Sequence, residues 1–178
     1  MKTIKTNFKG LLVVDRKGNR DARGTLSETY TKKIFSSKNF IFDYYSTSKK
    51  NVIRGLHYQK NKQQEKLVSV INGKIYDVCL DLRKNSKTFG KFFSTILSGK
   101  NYKSILIPKG FAHGFCSLEN NTIVYYKNSN YYHSNNQSGI IWNDPKLNIN
   151  WPIKKPIISI KDSLLESFNK FLTNQKYL

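Results

Sequence analysis

The chain has 178 residues, 38% of them hydrophobic and 13% aromatic, enough to build one core and too aromatic for a disordered segment. Its 31 Lys and Arg against 11 Asp and Glu leave a net charge of +20 at pH 7, which first directs attention to nucleic acid and other anions. That charge is spread as +8 over residues 1–51, +8 over 52–126 and +4 over 127–178, in runs no longer than two, so the block expected of a nucleic-acid arm is missing and nucleic acid is disfavoured.

Taken in order, the chain opens without a secretory signature. Leu11-Leu12-Val13-Val14 is too short for a signal-peptide core, and no stretch approaches the ~20 apolar residues of a spanning helix. No membrane association and a cytoplasmic location are therefore expected. Lys66–Ile71 reads as a strand, Asn72-Gly73 as a two-residue hairpin turn, and Lys74–Leu82 as the returning strand. Within the latter, Tyr76, Val78, Leu80 and Leu82 alternate with Asp77 and Asp81, which predicts two chemically different faces. Short strand-like runs recur at Phe92–Leu97, Ser104–Ile107, Phe111–Leu118 and Thr122–Tyr126. Many short strands between turns predict a mainly β, antiparallel sandwich or jelly roll. One helix is expected near the C-terminus, from the apolar spacing of Leu164, Leu165, Phe168, Phe171 and Leu172, with Asp162 or Ser163 as its cap. No repeat, linker or boundary divides residues 1–178, which read as a single domain. Cys79 and Cys116 sit in apolar strands; free buried thiols are the default, though spacing alone leaves a disulfide open.

The chemistry-bearing residues are few. Three histidines occur, His57, His113 and His133, without the paired H-x-H of a metal-binding β-barrel, which argues against a catalytic metal. G-x-S-x-G, P-loop and G-x-G-x-x-G spacings are absent. Three clusters stand out. In Arg54-Gly55-Leu56-His57-Tyr58-Gln59 an ideal strand sends Arg54 and His57 to opposite sides, unless Gly55 permits a bulge. Pro108–Phe115 reads as a tight turn feeding a buried strand. Trp142–Pro145 with Asn150-Trp151-Pro152 reads as a loop anchored by tryptophan and proline.

These clusters, in this order, resemble the dTDP-4-dehydrorhamnose 3,5-epimerase family. The matching stretches are VIRGLHYQ (Val52–Gln59), Lys66-Leu67-Val68, GKIYDVCLDLR (Gly73–Arg83), SKTFG (Ser86–Gly90), IPKGFAHGF (Ile107–Phe115), Tyr126 with Asn130-Tyr131-Tyr132, Gly139–Pro152, and Ser159–Asp162. They run from about Asp21 to Asp162, most of the chain. The resemblance implies a cupin-type antiparallel jelly roll that works as a homodimer, with no metal or organic cofactor. It also implies proton transfer at carbons flanking the C4 ketone of a nucleotide-diphosphate sugar, in the supply of sugars for surface polysaccharide. The ketone acidifies the C3 and C5 protons, so a positioned base can form an enolate. By the resemblance His57 is the base, Asp162 orients it, Lys66 stabilises the enolate oxygen and Tyr126 returns a proton from the opposite face. Arg23, Arg54 and Lys161 match diphosphate ligands. Glu28, Gln59, His113, Tyr131 and Tyr132 complete the substrate-binding set, and the N-terminal segment is expected to reach the neighbouring subunit's site.

Two segments depart from the family pattern. Arg23-Gly24-Thr25-Leu26-Ser27-Glu28 keeps the arginine and glutamate but lacks the aromatics between them, and Phe42-Asp43-Tyr44 stands where the family has glutamine-aspartate-asparagine. Both belong to the nucleotide end, so a related substrate, such as a GDP-linked 4-keto heptose, is an expectation beside the dTDP-linked hexose. Two further readings fit less well: a 3,4-ketoisomerase with a similar base, and a non-catalytic sugar- or nucleic-acid-binding barrel. The latter has no use for opposed proton carriers.

Overall fold

A computed structural model describes residues 1–174 and 178. Thirteen strands account for most of its regular structure. The first five are β1 (Lys2–Lys5), β2 (Leu12–Asp15), β3 (Gly18–Asp21), β4 (Gly24–Ser27) and β5 (Phe42–Ser48). The middle of the chain supplies β6 (Ile53–Gln59), β7 (Lys66–Asn72), β8 (Lys74–Asp81), β9 (Phe92–Ser98) and β10 (Lys103–Ile107). Then follow β11 (Phe111–Ser117), β12 (Thr122–Asn128) and β13 (Gln137–Gly139), and two short helices, α1 (Ile160–Ser163) and α2 (Phe168–Thr173). A six-stranded sheet runs β1-β2-β10-β7-β12-β5 and a five-stranded sheet runs β13-β6-β11-β8-β9. β3 and β4 form a separate hairpin, and neighbouring named strands pair antiparallel throughout. No helix among the described residues is long and apolar enough to cross a membrane.

The two large sheets face each other as the predicted jelly roll. One core cluster draws Val68, Val70, Ile105 and Val124 from the first sheet and Ile75, Cys79, Leu97 and Phe115 from the second. A second cluster covers the outer face of the five-stranded sheet, where Val78, Leu80 and Ala112 meet Trp151, Phe168 and Phe171. A third lies over the six-stranded sheet, with Phe35 against Val14, Leu67 and Leu106. The alternation in β8 is thus real, but both faces are covered. Val78, Leu80 and Leu82 pack under the C-terminal segment, while Asp77 and Asp81 are fully buried. Cys79 and Cys116 are free, buried thiols.

Three local expectations are corrected. Asn72-Gly73 does not close a hairpin, because β7 pairs with β10 and β12 whereas β8 pairs with β11 and β9. The turn is a corner at which the chain leaves one sheet for the other. Gly73 has φ +79°, and a Cβ there would fall 2.4 Å from Thr122 Oγ1, so glycine is required by both backbone and space. The single C-terminal helix is instead two. Glu166 makes a parallel bridge with Ile140, and the Phe168 N–H donates to Asp144 Oδ2 at 2.8 Å. These contacts interrupt the apolar stripe and leave Leu164 exposed. The caps are Ser159 and Ser167, not Asp162 or Ser163. The tryptophan loop holds as expected, with Trp151 Nε1 donating to the Trp142 carbonyl at 2.8 Å.

Asp81 explains the Arg83 and Ser86–Gly90 motifs. Its carboxylate accepts from Arg83 Nε and Nη2 at 2.8 and 2.7 Å, from Ser86 Oγ at 2.6 Å and from Thr88 Oγ1 at 2.7 Å. Burial alone would raise this carboxyl, but Arg83, Ser86 and Thr88 together hold it below the usual range. A depressed carboxylate contributes stability that is present at neutral pH and lost as acid protonates it. Asp81→Ala strands a guanidinium and two hydroxyls, so we expect a loss of about 3 kcal/mol, read as a lower urea midpoint at unchanged m-value.

Candidate active site

The site is built on the crossing of β6 and β11. His57 pairs with His113 and Arg54 with Phe115, so three steps along β6 span what two steps along β11 span. This bulge puts Arg54 and His57 on the same side, where both line one cavity. Gly55 and Gly114 make the approach possible. Gly55 has φ +118°, and a Cβ on it would lie 2.6 Å from Gly114 Cα and 2.7 Å from the His113 carbonyl oxygen. Neither backbone atom can yield to a side chain.

His57 and Asp162 form the first of two histidine–carboxylate pairs. His57 Nε2 lies 2.6 Å from Asp162 Oδ1, while Asp162 Oδ2 accepts from the Gly55 N–H at 3.1 Å. Asp162 sits in α1, where its own N–H bonds the Ser159 hydroxyl. Burial alone would raise the Asp162 carboxyl, but the His57 hydrogen bond and charge, with the Gly55 N–H, hold it below the usual carboxylate range. The pairing occupies Nε2 and leaves Nδ1 for whatever enters the cavity. His57 retains 24% side-chain exposure, against 4% for His113. His113 belongs to the second pair, with Nε2 at 2.8 Å from the fully buried Asp77. Cys79 Sγ donates to the other oxygen of Asp77 at 3.4 Å. Asp77, Cys79 and His113 bring donor atoms within 4.8 Å of one another, a spacing that suits a metal as well as this hydrogen-bonded cluster.

A cavity of about 280 Å³ joins His57, Arg54, Lys66, His113, Tyr126, Lys161 and Asp162. A second, of about 320 Å³, adjoins it across Tyr44, His57, Lys66 and Gln137, and adds Phe42, Gln59 and Tyr132 to the lining. A larger basic cleft around Lys9, Arg83, Lys87 and Lys109 shares no lining residue with either. Burial drives the Lys66 ammonium down to about 8, against the pull of Cys79 and Asp77. Burial pushes the Tyr126 phenol well up, aided by Tyr44 and Asp77 and opposed by Ser46 and Arg54. A neutral phenol, a titratable ammonium and an imidazole braced by a carboxylate thus share one small chamber. Such a set can remove a proton, stabilise the resulting anion and return a proton.

The other expected residues divide. Arg54 donates to Ser48 Oγ at 3.1 Å and to the Thr47 carbonyl at 2.9 Å, which holds its guanidinium at the chamber's edge. Lys161 and Tyr132 both hydrogen-bond Gln137 Oε1. Gln59 lines the second cavity, but its amide is spent on the loops: it donates to the Lys62 and Tyr131 carbonyls and accepts from the His133 N–H. Tyr131 is exposed at the rim and meets the lining through its ring on Phe42 and its carbonyl on Gln59. Arg23 and Glu28 are not brought to the cavity of their own chain. Both are exposed, and Arg23 bonds Asp21 in the β3–β4 hairpin. Four contributors escaped the sequence reading: Tyr44, Ser46, Asp77 and Gln137. The strand period marked Asp77 as facing away from Val78, but only the opposing sheet makes that face interior. Tyr44 lies in the Phe42–Tyr44 segment noted only as a departure, and Ser46 and Gln137 sit in segments without a motif.

Comparisons with known proteins give the chain its relatives. A sequence profile described as dTDP-4-dehydrorhamnose 3,5-epimerase matches residues 5–170. A relative of that name from Methanothermobacter thermautotrophicus is 43% identical over 166 residues, covering 89% of this chain and 90% of its own. One from Shigella flexneri is 40% identical, covering 91% and 93%. A crystal structure of the Bacillus anthracis enzyme, with TDP and PPi bound, is 45% identical with a TM-score of 0.90, covering 94% of this chain and 99% of that one.

The β6–β11 crossing is testable by Gly55→Ala. We expect a loss of about 3 kcal/mol from the backbone clash and the strained φ, measured as a lower denaturation midpoint, together with weaker nucleotide binding. The cavity, the fold and these likenesses converge: the chain belongs to the dTDP-4-dehydrorhamnose 3,5-epimerase family.

Proposed function

We propose that the protein is a 3,5-epimerase of a nucleotide-linked 4-keto-6-deoxy sugar, with dTDP-4-keto-6-deoxyglucose first among the substrates, in keeping with relatives named dTDP-4-dehydrorhamnose 3,5-epimerase. The observation that carries this reading is the Asp162-braced His57 sharing one chamber with Lys66 and Tyr126. His57 Nδ1 takes the proton from a carbon beside the C4 ketone; the C–H bond breaks and its electron pair moves to the ketone oxygen as an enolate. Lys66 supplies positive charge to that oxygen, a contact stronger after proton transfer than before it. Tyr126 delivers a proton to the opposite face, so the centre inverts, and both carriers are reset by solvent. Burial keeps the Tyr126 phenol protonated at neutral pH, as a proton donor requires. The mechanism asks for no metal or organic cofactor.

Arg54 and Lys161 serve the diphosphate, since guanidinium and ammonium groups at the chamber wall suit phosphate oxygens. His113 braces the pocket wall, Tyr132 holds the nucleoside end and Tyr131 extends that surface at the rim. Gln59 acts indirectly by fixing the loops that carry them. Arg23 and Glu28 act in trans: a second copy brings its β3–β4 hairpin to this site in a homodimer. The 74% exposure of Leu26 on that hairpin supports a covered surface there. Two buried free thiols fit a reducing compartment such as the cytoplasm.

The direct test is deuterium incorporation at C3 and C5 of dTDP-4-keto-6-deoxyglucose in heavy water, followed by NMR. His57→Asn should abolish exchange while dTDP still raises the melting temperature; unchanged exchange in the variant would remove the base assignment. Replacing dTDP by GDP in the thermal assay reads the nucleotide, because stabilisation grows with the logarithm of ligand concentration over Kd. Stronger stabilisation by GDP would move the substrate to a GDP-linked sugar. A pH profile gives an independent reading. As pH rises through about 8 the Lys66 cation is lost, so kcat/KM should fall on that side. Lys66→Met should remove this alkaline limb and lower the rate by roughly 10²–10³.

A further inference from the structure

Tyr44 of β5 lies directly opposite Tyr126 of β12 in the sheet register. Their rings stack with centroids 4.6 Å apart and planes within 17°. Beyond this stack, tilted ring contacts lead outward through Phe42, 5.6 Å from Tyr44 at 40°, and then Tyr131, 6.0 Å from Phe42 at 54°. His113 also approaches Tyr126, in a T-shaped contact at 6.2 Å and 72°. Tyr44 also lines both cavities of the site. Tyr126 is therefore held by a parallel aromatic face from β5.

We propose that Tyr44 is a positioning residue that fixes the ring of Tyr126, and so determines whether an enolate is protonated on the inverting face. The inference rests on the epimerase reading and deepens it. After His57 has removed a proton, two outcomes compete. The protonated His57, once exchanged with solvent, can return a deuteron to the same face, giving exchange with retention. Alternatively Tyr126 can deliver one to the other face, giving inversion. Only the second depends on where the phenol oxygen stands. A parallel stack worth about 0.5–1.5 kcal/mol beyond burial restrains rotation of the ring about its own axis and its tilt. Misplacing a catalytic group by about 1 Å can cost on the order of 10²-fold. Tyr44 itself stays a neutral stacking partner: although the residue keeps 38% exposure, desolvation of its phenol, with Tyr132 adding to it, pushes it up to about 12.

The test is the ratio of inversion to solvent exchange at each carbon, measured by NMR in heavy water for the wild type, Tyr44→Phe and Tyr44→Ala. Both terms come from the same turnovers, so the ratio is independent of how much protein is folded. Tyr44→Phe, which keeps the stack, should leave the ratio unchanged. Tyr44→Ala should lower it about tenfold while exchange at the His57 face persists. An unchanged ratio in Tyr44→Ala, with the wild type active, overturns the positioning role. A loss equal in Tyr44→Phe and Tyr44→Ala overturns stacking as its cause. A wild type that neither exchanges nor inverts any of the 4-keto sugars overturns the epimerase reading and this inference with it.

Discussion

The approach of β6 to β11 at Gly55 and Gly114 is the contact on which the site depends. A side chain at Gly55 would overlap the Gly114 and His113 backbone, so the two strands come together only because both positions are glycine. That proximity accommodates the extra residue in β6, and the extra residue turns Arg54 and His57 to one side. It also presents the Gly55 N–H to Asp162, so one local irregularity aligns the imidazole, its carboxylate and a cation. A regular strand would have buried one of Arg54 and His57 in the barrel and sent the other outward.

The interior also shows how a β-barrel tolerates charge. Asp77 and Asp81 face inward from β8 and are fully buried, an arrangement that costs several kcal/mol per ion unless partners are in place. Asp81 is satisfied by Arg83 and two hydroxyls, and acts as a structural anchor. Asp77 is satisfied by His113 and Cys79 and lends negative potential to Lys66 and Tyr126. The two histidine–carboxylate pairs thus differ in accessibility more than in chemistry. One is open to the cavity and the other is sealed beneath it, which suits the first to proton transfer and the second to fixing the wall.

Under the proposed function, the net charge of +20 has a narrow functional share. Arg54, Lys66 and Lys161 are the Lys and Arg side chains on the wall of the chamber, and Arg23 joins them only through the proposed dimer. Cations farther away than the ~10 Å screening length at 0.1 M salt add little to substrate capture. The even spread of basic residues along the chain is consistent with a composition carried mostly by the surface.

Alternating apolar residues and turn signals determined the β class, the extent of β7 through β11, and the buried thiols. The VIRGLHYQ and IPKGFAHGF stretches made the family recognisable, because residue types at fixed local spacing survive without knowledge of which strands meet. The sequence also carried His57, Lys66, Tyr126 and Asp162 as a set, though only through that likeness. Its own spacing left Arg54 and His57 on opposite faces. Tertiary structure decided everything that depends on pairing partners far apart in sequence. It made Asn72-Gly73 a corner between sheets, split the C-terminal helix where Glu166 meets Ile140, and turned the Asp77 face inward. It set Tyr44 against Tyr126 across 82 positions of chain and left Arg23 outside its own cavity. Periodicity reports which side of a strand a residue occupies; only packing reports what lies on that side.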